Sequence, residues 1–324
     1  ESVVFATGAT EQPIVFANND RPGVMLLGAA ERYLVRYGVK AAGTAVVFGN
    51  NNRIYSAARR LATAGVNIAA IVDTRTGVSS DEKSALEERG VACLESHAVA
   101  EALGSPFVAG AKIVPVSGAG EPREIPCDAV LVSGGWRLNA HANSTGSSHR
   151  YPAGSASGHL DVAAAINSGF EAGLKAVNVS KGTRDGLTAP AANGDPEPAG
   201  NDFWRSPASR STEKRQFVDL QNDVTTADLR QSVEHGFVDI EHAKRFTTLG
   251  IGTDQGETSG LSGAAILAEF SGTGASSPRL SRRRPPYQPA TLSTIAGFRR
   301  GQSLRPERLT PLHNWHVDHG AVLE

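Results

Sequence analysis

Cysteine is nearly absent from this chain: its 324 residues hold only Cys93 and Cys127. Two thiols so far apart do not make a disulfide framework, and they read as free, reduced cysteines of a cytoplasmic protein. An excess of one charge is absent as well. The 32 Lys and Arg balance 33 Asp and Glu, giving a net charge of -1 and a pI near 6.9. That leaves no general attraction to nucleic acid or to an anionic membrane. The basic run at residues 282–284, followed by Pro285 and Pro286, reads as a solvated loop. No apolar run reaches the roughly 18–20 residues of a membrane-spanning helix. No Ser or Cys stands in a nucleophile elbow, and no repeat recurs at solenoid periods. An initiator methionine is missing too. Glu1 and Ser2 lead straight into the apolar run at residues 3–6, so the chain is expected to begin inside a domain.

What is present is strand–helix alternation. Apolar runs at residues 3–6, 44–48, 68–72, 91–93 and 129–133 read as strands, and the first has the character of a buried parallel strand. Residues 24–37 read as a helix stopped by Gly38, residues 55–64 as one stopped by Gly65, and residues 79–89 as one capped by Ser79 or Ser80. Residues 98–103 suggest a short helical turn, and residues 108–116 with 124–126 a hairpin. This pattern predicts an α/β, doubly wound fold, in a chain long enough for two domains. An Ala-rich helix is expected at 160–176. Residues 182–211, rich in Pro, Gly, Asn and Ser, read as a linker. Helices follow at 226–234, 240–245 and 262–270, and the chain is expected to be extended after Pro285-Pro286-Tyr287.

Residues 44–73 have the layout of a dinucleotide-binding unit: strand, turn, helix, strand, terminal acid. The glycines differ. Where G-x-G-x-x-G is expected, the turn reads Gly49-Asn50-Asn51-Asn52-Arg53. Glycines let the backbone approach a pyrophosphate and let helix pack on strand, although a helix N-terminus still favours anions. Asp73 stands where an acid would take a ribose hydroxyl. Gly49, Asn50, Asn52 and Asp73 are therefore either a residual nucleotide site or a structural relic of one. Thr7-Gly8-Ala9 end the first strand, where Gly8 permits close backbone approach. Gly134 and Gly135 end another strand and either admit a ligand or turn the chain. His313, His316 and His319 recur at steps of three without a Cys or acid cluster to complete a zinc set. No residue stands out as catalytic, and no metal ligand is assigned.

Residues 218–225 read VDLQNDVT, residues 244–256 read KRFTTLGIGTDQG, and Thr258-Ser259 follow. Residues 4–24 read VFATGATEQPIVFANNDRPGV, and residues 308–322 read RLTPLHNWHVDHGAV. Together these blocks resemble the alpha subunit of heterotetrameric sarcosine oxidase, along nearly the whole chain but weakly at residues 186–214 and 271–284. Residues 217–260 also resemble a small helical [2Fe–2S] module whose cysteines are replaced by Asp219, Gln221, Asp254 and Ser259. Thiolates hold such clusters, so the resemblance implies that no iron–sulfur cluster is bound.

The resemblance further implies dinucleotide-binding domains of the flavoprotein reductase type, NAD in the intact alpha subunit but weak or absent binding here, and FAD, FMN and tetrahydrofolate in the whole complex. The implied partners are the beta, gamma and delta subunits, and the implied reaction turns sarcosine into glycine and hydrogen peroxide with transfer of the one-carbon unit to tetrahydrofolate. In reductases of that type a strand ending A-T-G, as at residues 6–8, lies near the dinucleotide. The expected organisation is a dinucleotide-binding region at 1–181, a linker at 182–215, the helical module at 216–272, and an extended segment at 273–324 leading toward a folate-binding domain. Within the first region, 28–149 is the degenerate second domain, while 1–27 and 150–181 belong to the first. A subunit of a related opine- or glycine-oxidising dehydrogenase is the alternative, as is a non-catalytic scaffold.

Overall fold

The structure, a computed structural model, describes residues 2–139, 149–181, 187–192, 202–274, 278–284, 290–297 and 309–322. The chain divides into two units, Glu1–Arg282 and Arg283–Glu324. The first unit opens with β1 (Val3–Phe5) and β2 (Ala9–Glu11), then β3 (Val24–Leu26), which runs directly into α1 (Leu27–Tyr37). β4 (Thr44–Gly49), α2 (Arg53–Thr63), β5 (Asn67–Asp73), α3 (Asp81–Glu87) and β6 (Ala92–Glu95) follow. Next come β7 (His97–Leu103), β8 (Gly110–Pro115), β9 (Arg123–Pro126), β10 (Ala129–Ser133), β11 (Trp136–Leu138) and β12 (Arg150–Pro152). A 3-10 turn at Gly154–Ser157 precedes α4 (Val162–Lys181). The unit closes with α5 (Arg210–Glu213), β13 (Phe217–Asp219), β14 (Val224–Thr225), α6 (Thr226–Glu234), α7 (Ile240–Thr247) and α8 (Gly260–Ser271).

The central sheet is parallel, in the order β3-β10-β4-β5-β6. Side chains alternate across a strand, and the core splits accordingly. Ala45, Val47, Ile71, Ala129 and Leu131 face one way, against Leu27, Ile54, Leu61 and Leu86 of the helices. Val46, Phe48, Val72, Val130 and Val132 face the other, against Val99, Ala102 and Ile113. That second layer is the antiparallel sheet β7-β8-β9, not helices. The doubly wound expectation is corrected to this extent: an antiparallel sheet does the covering on one face.

A third cluster holds the 217–271 region together around Leu229, Ile240, Leu249 and Ile266. Its α6 starts with a reciprocal cap, in which Thr225 Oγ1 accepts from Asp228 N while the Asp228 carboxylate accepts from Thr225 N. A Ser80 cap on α3 accepts from Lys83 N at 3.2 Å.

Five readings change. Residues 98–103, helical by composition, form β7: Ala98, Val99 and Ala102 bury against the parallel sheet, and packing overrides propensity. Residues 24–26 are β3, paired along β10, so the helix starts at Leu27. β1 pairs in parallel with β12 but leaves Val3 and Val4 exposed at 45% and 41%. The segment read as linker is packed toward its end, where Ser206 is wholly buried and Val15 N donates to Trp204 O at 2.9 Å. Residues 182–186 and 193–201 of that linker lie outside the described residues, as do Pro285, Pro286 and Tyr287. The second unit, read as extended, contains the short helices α9 (Leu292–Ala296) and α10 (His313–Asp318). Cys93 and Cys127 are free.

Candidate functional site

Open parallel sheets take ligands beyond the carboxyl ends of the strands, where connections diverge. β5 follows β4 on one side and β10 flanks it on the other, so the divergence falls between β4 and β10. Gly49 ends β4 there. A Cβ on it would stand 2.4 Å from Ser133 O and 2.5 Å from Ile54 Cγ2, so strand, helix and neighbouring strand meet too closely for a side chain. Asn50 and Asn51 are 1% and 2% exposed. Asn50 Nδ2 donates to Gly134 O at 3.4 Å, and Asn51 Nδ2 donates to Ser133 O at 3.1 Å. Asn51 Oδ1 accepts from Arg53 N, the first amide of α2, at 3.2 Å. These side chains tie β4 to β10, in place of the bare backbone that cradles a pyrophosphate.

Asp73 is wholly buried. Its Oδ1 accepts from Arg75 N at 2.9 Å and Arg75 Nε at 3.0 Å, and its Oδ2 from Tyr55 Oη at 2.9 Å and Arg75 Nη2 at 2.8 Å. A carboxylate offers about four lone-pair sites, and all are taken, so a ribose hydroxyl would have to displace Arg75. Burial, with the charge of Asp73 beside it, pushes the Tyr55 hydroxyl pKa up. Asn52 Oδ1 accepts from the same arginine, at 2.8 Å from Nη1. The residues at this strand edge do not fit a dinucleotide.

Gly134 admits protein instead: a Cβ there would lie 2.8 Å from both Gln12 O and Pro13 O. Gly134 N donates to Gln12 O at 2.8 Å, and Gln12 N donates to Gly135 O at 2.9 Å. Glu11, beside this crossing, is 7% exposed. Its carboxylate accepts from Gly28 N and Ser133 Oγ, each at 2.8 Å. Burial raises its pKa, and the Ser133 hydroxyl, the Gly28 amide and Arg53 pull the other way.

The Thr7-Gly8-Ala9 edge is more open. Gly8 has φ +75 and nothing within 4 Å of where a Cβ would stand. Thr7 Oγ1 donates to Asn139 O at 2.6 Å, Asn139 N donates to Gly8 O at 3.0 Å, and Ala9 pairs with Leu138. The structure thus brings Gly49, Asn50, Gly134 and Gly135 together, links Asn52 with Asp73 through Arg75, and sets Thr7–Ala9 on a separate ribbon. Sequence reasoning passed over Tyr55, Arg75 and Ser133, whose roles appear only once the strands are paired. Glu11 alone was signalled, as part of the 4–24 block.

The positions where cluster thiolates would stand also converge. Asp219, 2% exposed, accepts from Gln221 N at 2.9 Å, Asn222 N at 3.3 Å, Gly250 N at 2.7 Å and Ser259 Oγ at 3.2 Å. Gln221 Oε1 accepts from Thr253 Oγ1 at 3.3 Å. Asp254 Oδ1 accepts from Gly256 N at 3.0 Å. Hard oxygens already engaged with backbone amides and hydroxyls do not fit an iron–sulfur cluster. Among the described residues no group of His, Cys, Asp and Glu is placed to hold a metal ion. His319 instead stacks on Trp315 at 4.1 Å.

The fold recurs in a solved structure of low sequence identity. L-proline dehydrogenase from P. horikoshii shares it with a TM-score of 0.62 at 18% identity, over 91% of this chain and 58% of that one. Residues 213–298 match the sarcosine oxidase A3 domain family. The sarcosine oxidase alpha subunit of Corynebacterium sp. (strain P-1) is 33% identical over 99% of this chain and 36% of its own length. An opine oxidase chain of Agrobacterium tumefaciens (strain Ach5) is 40% identical, over only 22% of this chain and 14% of its own length. The chain is a relative of sarcosine oxidase alpha subunits along nearly all of its residues, and it spans little more than a third of their length.

Proposed function

We propose that the chain forms the nucleotide-fold section of an alpha subunit in a sarcosine oxidase complex and acts there as scaffold, with no catalytic residue of its own. The observation that carries this reading is the 33% identity running over 99% of the chain. The complex would convert sarcosine, dioxygen and tetrahydrofolate to glycine, hydrogen peroxide and methylenetetrahydrofolate. FAD, FMN and tetrahydrofolate would belong to the assembly with beta, gamma and delta subunits.

NAD would contact this chain through the Thr7-Gly8-Ala9 edge, where Gly8 leaves open space. Gly49, Asn50, Asn52, Asp73, Gly134 and Gly135 would serve packing and not binding. Residues 216–272 would be a small helical module of the [2Fe–2S] type held by Asp219 instead of a cluster, and the finer division into two dinucleotide domains, linker and module is part of the same reading. An opine-oxidising complex is disfavoured by the shorter match to the opine oxidase chain. A cytoplasmic setting agrees with free Cys93 and Cys127, and no described helix is long and apolar enough to cross a membrane.

Mixing the purified chain with sarcosine oxidase beta subunit tests this. Co-elution of the two on size exclusion is expected, with no peroxide from sarcosine when the chain is supplied with flavin alone. Peroxide from the chain alone would overturn the scaffold reading; failure to associate would overturn the assignment to the complex.

A further inference from the structure

A cavity of about 670 Å³ opens between α1 and the β2–β11 ribbon, within the size range of small-molecule sites. Of the residues assigned in the proposed function, Ala9 alone lines it. One wall is aromatic: Tyr33 and Tyr37 of α1, whose rings stand 6.3 Å apart, and Trp136 of β11. The other feature is cationic. Arg53 lies over the Trp136 ring at 5.3 Å and is ion-paired with Glu31. Arg32 lines the cavity with no acidic partner among the described residues.

Two further observations point to an occupant. Trp136 Nε1 and Arg53 Nε are buried N–H groups without an acceptor. Both residues line the cavity, and their donors lie buried behind its surface. Glu11 closes the floor. Each of its oxygens already takes one donor, from Gly28 N and Ser133 Oγ, and retains a lone pair for another.

We propose that this cavity binds a planar aromatic monocarboxylate carrying an amino or ring N–H group. The ring stacks among Tyr33, Tyr37 and Trp136, the carboxylate pairs with Arg32, and the N–H donates to Glu11. One unpaired cation matches one negative charge. A pyrophosphate would bring two charges beside a buried acid that already holds the Gly28 amide. The site stands whether or not the chain binds NAD.

Anthranilate is the probe. Titrated into the full chain while tryptophan emission is followed, with calorimetry for stoichiometry, it is expected to quench saturably at one site per chain. Arg32→Gln, on an exposed helix position, is expected to weaken binding roughly tenfold, the loss of one charge-assisted hydrogen bond, with thermal unfolding unchanged. Benzoate, lacking the amino group, should bind about tenfold more weakly for the same reason at Glu11. Trp136→Phe should abolish the quenching while heat of binding persists. No saturable binding of anthranilate, or binding indifferent to Arg32→Gln, would overturn the proposal. NAD competing for the cavity with the same sensitivity to Arg32→Gln would overturn the monoanion assignment.

Discussion

Replacing Asp219 perturbs the one acid that holds the centre of the 217–260 region. The carboxylate is 2% exposed and accepts from three backbone amides, of Gln221, Asn222 and Gly250, and from the Ser259 hydroxyl. Hydrogen bonds to a charged acceptor contribute about 1.5–3 kcal/mol each, and they are not additive. Asp219→Ala leaves the buried Gly250 amide and Ser259 hydroxyl without this acceptor, and we expect a loss of about 4 kcal/mol, at the upper end for a point substitution. Asp219→Asn keeps one acceptor oxygen and sets an NH₂ against the amides at the other, for about 2–3 kcal/mol. Native-state hydrogen exchange reads the effect where it arises, as the opening free energy of the Gly250 and Gln221 amides. The two variants should rank Ala worse than Asn, and both should open this region before the parallel sheet. A change below about 0.5 kcal/mol at Gly250 in Asp219→Asn, the size of an ordinary surface substitution, would refute the reasoning.

Two further substitutions examine the strand edge. Gly49→Ala places a Cβ 2.4 Å from Ser133 O, a backbone atom, and should cost about 1–3 kcal/mol as overpacking; an unchanged Tm would show that β4 and β10 are not locked together there. Glu11 titrates above its ordinary value of 4.5 in the folded chain because of burial. Stability from its neutral form is therefore full below that value and is lost as pH rises through the folded pKa. Glu11→Gln should remove this loss, read from urea midpoints on either side of the transition, and a variant that retains the parent's slope contradicts the assignment.

The parallel strands were legible because both their faces are buried, which leaves apolar runs such as residues 44–48 and 68–72. The helix at 81–87 was legible from its Ser80 cap. β7 was not, since HAVAEAL carries helix-forming residues and becomes a strand only through pairing with β8 and packing on the parallel sheet. The packing of residues 203–216 was hidden for a related reason. Pro and Ser suggest a loop, yet Trp204 and Ser206 pair with Val15, far away in sequence. At the strand edge the residue types were visible but their partners were not. Asp73 reads as a ribose ligand until Arg75 and Tyr55 are seen to occupy it. Asp219 reads as a lost thiolate until its four donors show what it does instead.

The central claim is that this chain serves as scaffold in the proposed complex and that the ends of β4 and β5 are not a nucleotide site. Calorimetric titration of NAD into the chain and into Asp73→Ala tests it most directly. Two lost amide–phosphate contacts, at about 1.5–3 kcal/mol each, weaken binding roughly a hundredfold or more relative to an intact cradle. The account predicts weak or undetectable NAD binding in both proteins, with no difference between them. Tight binding by the parent chain that disappears in Asp73→Ala would contradict it and place the nucleotide at the ends of β4 and β5.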